Sequence, residues 1–154
     1  MNKEVEMDEM IPIIREQLAV GKTTTFSPKG TSMLPMLRDG IDTVTLKKPV
    51  FPLKKYDLPL YQRSDGSYVL HRVVGIREHT YGMRGDHQLT IEWGIQEKQV
   101  IGVVDSFTRK GKEYSCNHMG YRMYCHLWNK RVQLRKIYVK GRKLLRRVRR
   151  KIRG

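Results

Sequence analysis

Cysteine is almost missing from this chain: Cys116 and Cys125 are its only two in 154 residues, which excludes a scaffold held together by disulfides. Long apolar runs are missing as well. One of the longest, "YVLHRVVGI", falls far short of the roughly 20 residues that span a bilayer, so no membrane-crossing helix is expected. The acidic N-terminus and its short apolar run carry no secretory pattern, which makes a reducing, cytoplasmic setting the default expectation. There is no phosphate loop, dinucleotide fingerprint, HExxH helix or Gly-x-Ser-x-Gly elbow, so the usual nucleotide, zinc-peptidase and α/β-hydrolase readings fall away.

Acidic residues are absent from the stretch 130–153, which holds thirteen lysines and arginines. The net charge of the whole chain is +16, so the remainder carries only +3. The basic character therefore belongs to a C-terminal tail rather than to the body. Leu134, Ile137, Tyr138, Leu145, Val148 and Ile152 recur in that tail at helical intervals, and Gly141 is expected to split it into two pieces. A basic face beside an apolar stripe, introduced by Trp128, suits a helix lying on an anionic membrane surface. Arg142, Lys143, Arg146, Arg147 and Arg150 are the expected contacts. Nucleic acid would attract the same charges but does not require the apolar stripe, so it ranks second as a partner.

The length fits one domain with its own core. Met10, Ile13, Ile14 and Leu18 stand at helical spacing near the N-terminus, and Gly21 stops that helix. From "TTTF" onward the pattern is β: "DTVTLKKP", "DLPLYQR", "SYVLHRVVGI", "TYGMRGD" and "QVIGVVDSFTR" are short runs rich in β-branched residues, with a hairpin signal at Asp65-Gly66. The expected fold is mainly β, a curled mixed or antiparallel sheet with a short N-terminal helix and a basic C-terminal helix. Its parts are a helical segment over 1–22, a β domain over 23–112 and a basic amphipathic segment over 113–154.

Two residues draw attention on chemical grounds. Ser32 stands in "GTSMLPMLRDG", where flexible and rigid backbone flank a hydroxyl, and His71 stands in "YVLHRVV", where alternation puts Val69, His71 and Val73 on one face and Leu70, Arg72 and Val74 on the other. A serine becomes a nucleophile only when a base accepts its proton. On spacing alone, a turn serine and a strand histidine are the better account of both residues, because one serine and one histidine far apart in sequence specify nothing. Cys116, His118, Cys125 and His126 do not have the spacing of a structural zinc site, and neither metal nor cofactor is expected.

The ordered set "GTSMLPMLRDG", "DTVTL", "KKYDLPLYQRSDGSYVLHRVVGI", "YGMRGDH" and "QVIGVV", from about Gly30 to Val104, resembles the serine peptidase superfamily of the type I signal peptidases and the self-cleaving SOS repressors. The resemblance implies that fold, with Ser32 as nucleophile. It also implies the histidine branch of the family, with His71 of His71-Arg72 as base and Asp86 of Gly85-Asp86 as the acid that orients it. The family run after Gly-Asp differs here, "RGDHQLTIE", bringing in His87 and Glu92. Gly30 replaces a serine that helps to bind the oxyanion in some relatives. Backbone N–H groups around Ser32 would then serve, with Gly30, Thr31, Met33 and Pro35 forming the oxyanion and substrate-binding stretch. No transmembrane anchor or helix-turn-helix domain precedes Gly30, so a bare peptidase module acting on a peptide or leader-like segment is expected, peripheral on the inner membrane surface through its tail. A peptide-binding member of the fold without turnover, or a nucleic-acid-binding protein acting through the basic tail, is the alternative.

Overall fold

The computed structural model describes residues 7–152, with side chains through Tyr138 and at Arg142. In chain order the elements are α1 (Met7–Ala19), β1 (Thr24–Phe26), β2 (Thr43–Lys47), β3 (Pro59–Gln62), β4 (Tyr68–Leu70), β5 (Arg72–Arg77), β6 (Thr80–Arg84), β7 (Glu92–Gln96), β8 (Val100–Arg109), β9 (Lys112–Ser115) and α2 (Met119–Ile152). The strands form two antiparallel sheets, neither closed into a barrel. The larger runs β1-β2-β8-β3-β4 with β9 also on β8, and the smaller runs β5-β6-β7. The mainly β expectation with a helix at each end holds; of the two sheet types expected, only antiparallel pairing occurs among the described residues.

The ten-residue β8 is the spine of the larger sheet, and it feeds two cores, its pairing shifted by a residue against both β2 and β3. Ile101, Val104 and Phe107 join Leu46, Leu60, Ile11, Ile14 and Leu18 on one side. Val100 and Val103 join Tyr61, Val73, Tyr81, Met83 and Ile95 on the other, where the smaller sheet packs. Helix α1 buries Ile11, Ile14 and Leu18, a spacing of three and four; Ile13, expected to face inward, is 57% exposed. The Asp65-Gly66 hairpin forms as expected, closed by Arg63 N–H on the Ser67 carbonyl and by Ser67 N–H and Oγ–H on Asp65 Oδ1.

The expected strand "SYVLHRVVGI" breaks at His71. Its first half, β4, pairs with β3 in the larger sheet, and its second half, β5, pairs with β6 in the smaller one. Alternation survives the break: Val69 and Val73 share one core while Leu70 enters the other. His71 therefore sits at the joint between the sheets. The hairpin strand β9 runs across the expected 112/113 boundary.

Helix α2 is continuous through Gly141, contrary to the expected split. Tyr121, Cys125, Asn129 and Val132 are buried, and these positions recur every three or four residues on one face. What draws this face onto the body is Arg72, which is 2% exposed. Its guanidinium grips Asp86 through two bonds of 2.8 and 2.7 Å, donates to the Tyr121 hydroxyl at 2.7 Å and reaches Cys125 Sγ and Met36 Sδ, each at 2.9 Å. One cation thus joins β5, the turn after β6, α2 and the loop that carries Ser32. A buried charge stripped of its partner is costly, so Asp86→Ala is expected to lower the unfolding free energy by about 3–5 kcal/mol in a urea titration. A loss below about 1 kcal/mol would show the pair to be dispensable.

Candidate functional site

Ser32 lies in a looped segment that the sequence ties down at both ends. Gly30 N–H donates to Asp39 Oδ1 at 2.7 Å, with Gly30 at φ +95°, a conformation natural only to glycine. Arg38 N–H donates to Asp42 Oδ2 at 2.8 Å, and Met33, Met36 and Leu37 anchor the loop in the core. A second clamp comes from the turn after β6. His87 N–H donates to the Ser32 carbonyl at 2.9 Å, and Gly85 packs so closely that a β-carbon there would stand 2.5 Å from that carbonyl oxygen. The Gly-Asp pair of the motif thus has a physical reason: glycine admits the serine segment, and the aspartate fixes the turn to Arg72.

Ser32 and His71 line one pocket of about 260 Å³, together with Gly30, Met33, Arg63 and Gln88. No hydrogen bond joins Ser32 Oγ to His71 among the described residues; what they share is the cavity. Thr31 and Pro35, expected in the same stretch, are exposed and do not line it. Asp86 is buried beside the site, but both its oxygens are engaged by Arg72 and neither meets His71. The expected direct contact between this acid and the imidazole is corrected accordingly: Asp86 acts on the geometry through Arg72. His87 is exposed, and its contribution is its backbone N–H.

The partner of the imidazole is Tyr61, whose oxygen lies 3.3 Å from His71 Nδ1. The Tyr61 hydroxyl donates its only proton to Glu92 Oε2 at 2.8 Å, and Glu92 is gripped in turn by Arg63 Nε and Nη2. A phenol committed to a carboxylate has only acceptor capacity left. The proton between Tyr61 and His71 therefore resides on Nδ1, and Nε2 is the nitrogen with the free lone pair. Burial and the Glu92 bond raise the Tyr61 pKa, keeping the phenol protonated. Burial also acts against the Glu92 carboxylate, but the bonds from Arg63 and Tyr61 outweigh it and hold Glu92 below its ordinary value.

His71 itself is 2% exposed, and burial followed by the nearby Arg63 charge pushes its pKa from 6.5 down to about 4, against the opposing pull of Glu92 and Asp86. A neutral imidazole with a fixed tautomer can accept a proton from a hydroxyl that comes within hydrogen-bond reach, and Ser32 and His71 line the same cavity. Sequence reasoning did not find Tyr61 or Arg63, and it noted Glu92 only as an acid after the Gly-Asp motif. No motif spacing links these positions; they meet because β3, the hairpin loop and β7 converge.

The four residues weighed for zinc are engaged separately. Cys125 meets Arg72, His126 Nδ1 lies 3.1 Å from the Tyr56 hydroxyl, and His118 Nδ1 accepts from Gly120 N–H. Cys116 is half-buried. Of the expected tail contacts, Arg142 is exposed with its guanidinium 5.7 Å from the Tyr138 ring, while the side chains of Lys143, Arg146, Arg147 and Arg150 lie outside the described residues. Among the described residues no helix is long and apolar enough to cross a membrane. No protein-family model matches this chain, and no curated protein matches it either.

The depressed histidine has a signed consequence. Unfolded, the ring binds a proton near pH 6.5; folded, it does so only near pH 4. This group therefore withdraws stability as pH falls from 6.5 toward 4, by up to about 3 kcal/mol, and has no effect on pH dependence above that window. In an NMR titration the His71 ring resonances are expected to stay constant from pH 8 to about 5. An ordinary midpoint near 6.5 would contradict the buried, neutral ring.

Proposed function

We propose that this protein is a serine endopeptidase of the signal peptidase and SOS-repressor type, with Ser32 as nucleophile and His71 as base. The observation that carries the reading is the shared pocket: two side chains far apart in sequence line one cavity, and the imidazole keeps Nε2 free while Nδ1 is held by Tyr61. In the proposed reaction His71 Nε2 takes the Ser32 hydroxyl proton as Oγ attacks the scissile carbonyl. The imidazolium then gives that proton to the departing amine, and water hydrolyses the acyl-serine by the same route in reverse. Backbone N–H groups around Ser32 receive the developing oxyanion, as Gly30 has no side chain to offer.

Tyr61, Glu92 and Arg63 are positioning residues in this scheme, and Asp86 is one at a further remove, through Arg72. Substrate binding fits the sheet topology. β4 ends the larger sheet, pairs among the described residues with β3 alone, and contributes Tyr68, Val69 and Leu70 to the pocket wall beside His71. An extended peptide adding to that edge would bring its carbonyls past Ser32.

A fluorophosphonate probe tests the activated serine without knowledge of the substrate. Wild type is expected to label on Ser32, Ser32→Ala to remain unlabelled, and His71→Ala to label at least about 100-fold more slowly. Absence of labelling in folded wild type would support the peptide-binding alternative instead.

A second reading concerns location. Met119, Met123, Leu127, Leu134, Ile137 and Tyr138 are all more than half exposed on α2, on the face turned away from Tyr121, Cys125 and Val132. We infer that this stripe and the surrounding basic residues seat α2 on an anionic membrane, where each cation near the surface contributes about 1 kcal/mol. The full chain is expected to sediment with vesicles containing phosphatidylglycerol but not with pure phosphatidylcholine, and Leu134→Asp with Ile137→Asp is expected to release it. DNA binding that survives both substitutions, with no vesicle binding by wild type, would assign the tail to nucleic acid.

A further inference from the structure

A second cavity, of about 590 Å³, opens where the β8–β9 hairpin meets the start of α2, and it shares no lining residue with the Ser32–His71 pocket. Its size lies within the ordinary range for small-molecule sites. Its walls are aromatic. Phe107 stacks on Tyr114 at 5.3 Å between centroids, Tyr121 tilts against Phe107 at 5.4 Å, and Tyr124 stacks beside Tyr121 at 6.4 Å. Met36, from the loop that carries Ser32, lines it as well.

Hydrogen bonding distinguishes this cavity from a simple apolar gap. Among the described residues four buried side-chain polar atoms have no hydrogen-bond partner, and two of them, Arg109 Nε and the Tyr124 hydroxyl, belong to residues that line this cavity. Native proteins leave few such atoms unpaired, since a buried donor without an acceptor loses its hydration and gains nothing in return. Arg109, from the end of β8, and Tyr124, from α2, thus line the cavity from different elements. Asp42, an acid that senses the Arg109 charge, is already clasped by Arg38 through both oxygens. Glu113, the one acid lining the cavity among the described residues, accepts a bond from Ser106 Oγ–H at 2.8 Å. A cation and a phenol, both with unmet donors and set among stacked rings, are complementary to a flat apolar molecule that carries one anionic acceptor.

We propose that this cavity is a binding site for a small aryl carboxylate, its ring lodged among Phe107, Tyr114, Tyr121 and Tyr124 and its carboxylate received by Arg109 and the Tyr124 hydroxyl. The site does not depend on Ser32 being a nucleophile.

The test uses the full chain and 2-naphthylacetate, titrated by calorimetry beside 2-naphthylacetamide and 2-naphthylmethylammonium. The expected result is one saturable site per chain for the carboxylate, at least about tenfold tighter than for the amide, with the ammonium weakest. Tyr124→Phe keeps the ring and removes only an unpaired hydroxyl. That variant is expected to fold with an unchanged or higher melting temperature and to bind the carboxylate about tenfold more weakly. Arg109→Gln is expected to weaken it further and to abolish the preference for acid over amide. The proposal is overturned by the absence of saturable binding, by equal binding of acid and amide, by a preference for the ammonium, or by carboxylate affinity that Tyr124→Phe leaves unchanged.

Discussion

The buried contact between Arg72 and Asp86 is the constraint on which the rest of this structure depends. A guanidinium removed from water must have its charge and its N–H groups met, and here the partners come from three separate parts of the chain. Asp86 brings the turn after β6, Tyr121 and Cys125 bring α2, and Met36 brings the loop of Ser32. The turn that Asp86 fixes then presents His87 N–H to the Ser32 carbonyl and leaves, at Gly85, the space that the serine segment fills. Hydrophobic burial supplies most of the stability of such a domain, but it is non-directional. The ion pair is what selects one arrangement of the loop against the sheets.

His71 is governed by the same geometry from the other side. It follows β4 and precedes β5, where the chain leaves one sheet for the other, and Arg72 next to it points into the opposite core. Burial makes its charged form unfavourable, and the Tyr61–Glu92–Arg63 chain fixes which nitrogen carries the proton. Neutrality and tautomer are thus set before any substrate arrives. In the proposed chemistry this favours the base form at neutral pH, and it obliges the site to stabilise the imidazolium when it forms; Glu92 and Asp86 are the acids whose fields act in that direction.

The sequence made some of this legible and hid the rest, for identifiable reasons. Ser32, His71 and the Gly85-Asp86 pair stand in an ordered motif, and the structure brings all of them to one region. The alternation of Val69 and Val73 was readable because period-two patterning survives a break between sheets. The break itself was not readable, because a strand that changes partners keeps its local composition. β7 and β9 escaped notice because they lie near the surface: only Ile95 is buried in β7 and no residue is buried in β9, so neither shows strong alternation. Ile11 and Ile13 are equally apolar, and only docking on the sheet decides that Ile11 faces inward. The positioning chain of Tyr61, Arg63 and Glu92 is a purely tertiary feature, and so is the preference of Asp86 for Arg72 over His71. Gly141 failed as a helix breaker because an isolated glycine costs only about 1 kcal/mol in a helix.

In the proposed mechanism the Arg72–Asp86 lock holds Ser32 and His71 so that one hydroxyl and one imidazole nitrogen work on the same atom. A crystal structure of the full chain after reaction with a fluorophosphonate tests this most directly. The account predicts phosphorus bonded to Ser32 Oγ, His71 Nε2 within about 3.2 Å of an oxygen of the adduct, and Nδ1 still directed at Tyr61. An adduct on another residue, or a Ser32 adduct with the His71 ring turned away from it and Nε2 bonded to the protein interior, would contradict the account.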